Sequence, residues 1–157
     1  AQKLDEIVYG QLPNITNAPE IFGHQWVMDD ADHILAEEAK LLTSATSIGL
    51  YDAAELLRSL GGVAIPAHID RPSFSLIANL GFYDAQMGFS AVEITRQCDK
   101  KLFVSEHPEL NGLPYIIDSD AHDLIAIPDA QYALELSSLD AEAVIEAIER
   151  GELLGRL

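Results

Sequence analysis

From Ser47 onward, segments with helical spacing of apolar residues alternate with short runs rich in β-branched residues, and this alternation restricts the fold more than any other feature. Leu50 to Leu60 offers Ala53, Ala54, Leu56, Leu57 and Leu60 for packing and meets Gly61-Gly62, a stop signal. Val63 to Ala67 follows as a buried strand. The pattern then predicts a short helix over Phe74 to Leu80, a strand over Ala91 to Thr95, a helix over Asp99 to Glu106 and a strand over Leu113 to Asp118. Tyr132 to Leu136 reads as one more strand. Asp140 caps a last helix whose apolar face is Val144, Ile145, Ala147 and Ile148, ended by Gly151. Such alternation with short connections predicts an α/β fold with a parallel sheet or barrel, where ligands gather beyond the carboxyl ends of the strands.

Residues 1–46 follow a different pattern. Leu4, Ile7, Val8 and Leu12 have helical spacing, and Pro13-Asn14 ends that element. After a loop, Gln25-Trp26-Val27-Met28 and His33-Ile34-Leu35 flank the polar Asp29-Asp30-Ala31-Asp32, which suggests a small hairpin. The expected organisation is a helix tail, loop and hairpin over 1–46 and the repeating βα units over 47–157, within a single domain.

At 157 residues and 48% hydrophobic, the chain is long enough for one domain with a core, and no stretch is apolar for long enough to cross a bilayer. Nine Lys and Arg against 26 Asp and Glu give a formal charge of -17. That field disfavours nucleic-acid phosphates and anionic lipid as standing partners and attracts divalent cations. Solubility alone is a sufficient cause for much of it. Cys98 is the single cysteine, and Ala1-Gln2-Lys3 opens the chain without a basic or apolar export segment. Both fit a cytoplasmic setting, which is the expectation here.

Two loops carry the chemistry. Pro66-Ala67-His68-Ile69-Asp70-Arg71 follows Val63-Ala64-Ile65, and Asp118-Ser119-Asp120-Ala121-His122-Asp123 follows Tyr115-Ile116-Ile117. Strand ends that deliver carboxylate and imidazole groups suit a divalent metal such as Zn, Mn or Fe. Asp120 and His122 flank one residue, so on an extended segment they project to one side. Each residue also has a plain structural reading. His68 could be a satisfied structural histidine, Asp120 and His122 a carboxylate-imidazole pair fixing a loop, and Arg71 a partner for Asp70 or Asp118. Glu93 ends a strand toward the expected site, in a supporting or a stabilising role. His107 before Pro108 fits a surface or capping role, and Cys98 has no His or basic triad around it to make a nucleophile.

Together, these two loops resemble the third and fourth motifs of the polymerase and histidinol phosphatase (PHP) family of metal-dependent phosphoesterases, in residues, order and spacing. The resemblance extends through Ala91-Val92-Glu93-Ile94, Leu113-Pro114-Tyr115-Ile116 and the closing helix, roughly Leu50 to Gly151. It implies the C-terminal part of a distorted (β/α)7 TIM-like barrel with two or three divalent metals at the strand ends. His68, Asp120 and His122 match family metal ligands, and Arg71 matches a basic position suited to holding phosphate oxygens. Asp118 departs from the family's usual glycine and adds negative charge. The family's first two motifs have no counterpart here, and His24 and His33, nine residues apart, do not supply them. The resemblance thus implies a small phosphorylated metabolite or nucleotide as substrate of the complete protein, with metal-activated water as nucleophile. For this chain it implies weak metal affinity, little activity in isolation, and a complementing N-terminal part of the barrel or self-association. The alternative is a non-catalytic module that keeps the fold for assembly.

Overall fold

The computed structural model describes residues 2–130, 132–153 and 155–157. They divide into two compact units, Ala1–Gly49 and Leu50–Leu157.

In the first unit the Leu4, Ile7 and Val8 pattern forms helix α1 (Gln2–Gln11), and Pro13 prevents its continuation. A single turn, α2 (Pro19–Phe22), leads into β1 (Trp26–Met28), which pairs antiparallel with β2 (Ile34–Glu37). The hairpin expected from the sequence is therefore present. Its turn is built by Asp29, whose carboxylate accepts the N–H groups of Ala31 and His33, both at 2.9 Å. His24 and His33 are both used locally, against Glu37 at 2.7 Å and Asp29 at 3.0 Å.

The second unit begins with α3 (Leu50–Ser59), which buries Ala54 and ends at Gly61, where a φ of +76° suits a residue without a Cβ. Ser75 caps α4 (Leu76–Leu80), and Asp99 caps α5 (Lys100–Glu106), each through its side-chain oxygen. Between them β3 (Val92–Glu93) lies parallel to β4 (Pro114–Ile116), with Val92 opposite Tyr115 and Glu93 opposite Ile116. Asp140 caps α6 (Ala141–Glu149), whose buried residues are Ala143, Ala147 and Ile148. The core joins Ile69, Tyr83, Met87, Val92, Ile94, Leu110 and Tyr115.

Three sequence expectations need correction. Val63 to Ala67 is not a strand. It runs along β3 and accepts hydrogen bonds from Ser90 to Ala64 and from Glu93 to Pro66, at 3.2 and 3.1 Å, but Pro66 has no N–H to return. Tyr132 to Leu136 is irregular as well. The sheet order β3-β4-β5 explains why: β5 (Gly155–Arg156) takes the second edge of β4, leaving no partner there for the 132–136 segment. Finally, β5 is antiparallel to β4, so the sheet is mixed rather than purely parallel. Among the described residues, no helix is long and apolar enough to cross a membrane.

Candidate functional site

The turn Ala67 to Asp70 leaves the end of the segment beside β3, and two backbone hydrogen bonds fix it there. Glu93 N–H donates to Pro66 O at 3.1 Å, Ile69 N–H donates to Glu93 O at 2.8 Å, and Ile69 itself is fully buried. Asp70 then clamps Thr95: its carboxylate accepts the Thr95 N–H at 2.8 Å and the Thr95 hydroxyl at 2.5 Å. His68 sits between these anchors with a φ of +31°, a left-handed conformation that costs a non-glycine residue on the order of 1 kcal/mol or more. The anchors on both sides impose it.

Beyond β4 the chain makes a second turn. Asp118 accepts the N–H of Asp120 at 3.0 Å, Ser119 accepts that of Ala121 at 3.3 Å, and Asp120 has a φ of +48°. This Asx-type turn replaces the extended segment that would have placed Asp120 and His122 side by side. His122 Nε2 still reaches Asp120 Oδ1, at 3.4 Å, although its side chain is 86% exposed. Arg71 Nη1 meets Asp120 Oδ2 at 2.8 Å. Asp70 is engaged with Thr95 and Asp118 with its own turn, so the arginine's carboxylate is Asp120 rather than either of the two suggested by proximity in sequence.

The two turns face one cavity of about 170 Å³, lined by His68, Arg71, Glu93, Arg96, Asp118 and Asp120 among others. His68 and Asp120 therefore come to one place; His122 touches Asp120 but does not line the cavity. Glu93 and Asp118 both do. Burial pushes the Glu93 carboxyl above its ordinary range, the Asp118 charge and a hydrogen bond with that carboxyl push the same way, and the His68 N–H and imidazole oppose them. Two carboxyls so placed need a proton or a cation between them. Sequence spacing singles out neither Asp118 as a lining group nor the Asp70–Thr95 clamp, because both depend on which strands become neighbours.

The donor chemistry can be tested against a metal on one observation. His68 Nδ1 is fully buried and has no hydrogen-bond partner among the described residues, a state that normally costs about 1–3 kcal/mol. An imidazole nitrogen beside carboxylates is the mixed N and O donor set that Zn, Mn or Fe accepts. Among the described residues, no three of His, Cys, Asp and Glu stand together at a spacing ready to hold a metal ion. The donors fit in kind, and Arg71 holds one of them.

The remaining candidates fall away from this cavity. Cys98 is half-buried, and burial first, then the Asp70 charge, pushes its thiol up to about 11, so it is no nucleophile at neutral pH. His107 closes α5 and packs its ring 4.9 Å from that of Phe103. No protein-family model, curated protein or solved structure matches the chain.

Proposed function

We propose that residues 50–157 form the C-terminal part of a PHP-type metal-dependent phosphoesterase, acting in the cytoplasm on small phosphorylated metabolites or nucleotides. The distorted (β/α)7 barrel belongs to the same proposal. The observation that carries it is the buried, unpartnered Nδ1 of His68 beside a cavity that Asp120 also lines. A structural histidine at this depth would be expected to have a hydrogen-bond partner.

In this reading His68 and Asp120, with His122 carried on the same turn, hold divalent metal ions, and Glu93 and Asp118 add negative charge around them. Bound divalent ions would polarise the phosphoryl oxygens and make a water acidic enough to attack phosphorus near neutral pH. The chain's own part is positioning. The Asp70–Thr95 clamp fixes the backbone on which His68 and Arg71 stand, and the Asp118 turn sets Asp120. Arg71, held by Asp120 here, is the group that would neutralise charge on a phosphate. Few ligands come from this chain, so metal affinity is weak and activity in isolation is low; an N-terminal barrel part or a second copy would complete the site.

The test is metal binding by the full chain, followed through the His68 imidazole ¹⁵N signals during titration with Zn²⁺. The expected result is a shift of the Nδ1 resonance, with apparent affinity falling roughly tenfold or more in His68→Ala and in Asp120→Asn, as for lost ligands and their supports. An unchanged His68 signal in the presence of Zn²⁺ would favour the non-catalytic assembly module.

A further inference from the structure

The chain has nine basic side chains against 26 acidic ones, and two of the nine, Arg71 and Arg96, line the same cavity. The other arginines are engaged: Arg58 on the Gly88 carbonyl, Arg150 with Glu146 and Glu152, and Arg156 on the Gly112 carbonyl. Arg71 is paired with Asp120. Arg96 alone among the arginines makes no hydrogen bond or ion pair with the described residues. Its position is nevertheless fixed. It follows Thr95, which the carboxylate of Asp70 holds by both its N–H and its hydroxyl, and Arg71 follows Asp70. One clamp therefore sets both guanidinium-bearing residues at one cavity mouth.

The geometry points to Arg96 as a second anion-binding residue of this cavity beside Arg71, with the terminal dianionic phosphate of a phosphomonoester as its ligand. A guanidinium presents a planar fork of donors that matches two phosphate oxygens, and in a field as acidic as this one an unpaired arginine at a cavity is the favoured landing point for an anion. The cavity volume of about 170 Å³ is below the range of about 300 Å³ and more that encloses a whole small-molecule ligand. It accepts a phosphoryl group and leaves the remainder of the ligand outside. Glu93, Asp118 and Asp120 would repel that phosphate unless a cation neutralised them, so the metal-site reading above underlies the assignment.

Two quantities measured separately on the full chain test it. Mn²⁺ binding is followed by the electron paramagnetic resonance of the free ion, and inorganic phosphate binding to the Mn²⁺-loaded protein by calorimetry. Arg96→Gln is expected to bind Mn²⁺ as the unaltered chain does and phosphate about tenfold or more weakly, while Arg96→Lys keeps part of the affinity. Arg150→Gln, at a surface ion pair, serves as the control and leaves both quantities unchanged. Equal phosphate affinity in Arg96→Gln, with Mn²⁺ still bound, overturns the role of Arg96 and spares the metal site. Loss of Mn²⁺ binding in Arg96→Gln makes the residue structural and likewise overturns it. Failure of the unaltered chain to bind Mn²⁺ overturns the metal site, and the phosphate role with it.

Discussion

Asp120 is where most of the site's local interactions meet. Its carboxylate takes Arg71 on one oxygen and His122 on the other, while its N–H is held by Asp118. The two motif loops are legible in the sequence because histidine and aspartate beyond apolar runs are recognisable chemistry. The partner of Arg71 is not, since Asp70 and Asp118 look equally placed until the fold assigns each elsewhere. Cys98 gives a prediction at this scale. Its thiol is raised from 9.0 to about 11 in the folded protein, chiefly by burial and then by Asp70. Iodoacetamide alkylation of the native chain should therefore keep accelerating above pH 10, where an ordinary thiol has levelled off. The sign for stability follows: the raised value favours the folded state's neutral thiol, a contribution whole below about pH 9 and lost as pH rises towards 11. An alkylation rate that is half-maximal near pH 9 and level above about pH 10 would place Cys98 in water instead.

Helices are more legible than strands at the scale of elements, and caps explain the difference. Ser75, Asp99 and Asp140 each precede an apolar helical pattern and each accepts the expected backbone N–H. β3 and β4 fall within the runs Ala91 to Thr95 and Leu113 to Asp118 that read as strands, whereas β5 is two residues long, too short for a period to register. Val63 to Ala67 has strand composition, yet Pro66 interrupts its ladder. Ser75 is the cap with most at stake, because it is buried: its hydroxyl donates to Arg71 O at 2.8 Å and accepts from Ala78 N–H at 3.1 Å. Ser75→Ala should cost about 1–2 kcal/mol in urea unfolding, since it removes the cap and strands the Arg71 carbonyl. A cost near zero would mean that water replaces the hydroxyl without penalty.

The whole molecule is dominated by its charge. With -17 distributed over 157 residues, like charges repel throughout the folded chain. Raising sodium chloride from about 10 to 300 mM shortens the screening length from roughly 30 to 6 Å and should raise Tm. A Tm that falls with salt would show that attractive pairs such as Arg71–Asp120 outweigh the repulsion. Composition made this property plain. It could not reveal the sheet order, which depends on a strand from the last three residues.

His68 and Asp120 both occupy left-handed backbone, where glycine or asparagine would be more comfortable. Glycine at either position would relieve the main chain and remove the side chain in one step, so stability and cation binding would move in opposite directions.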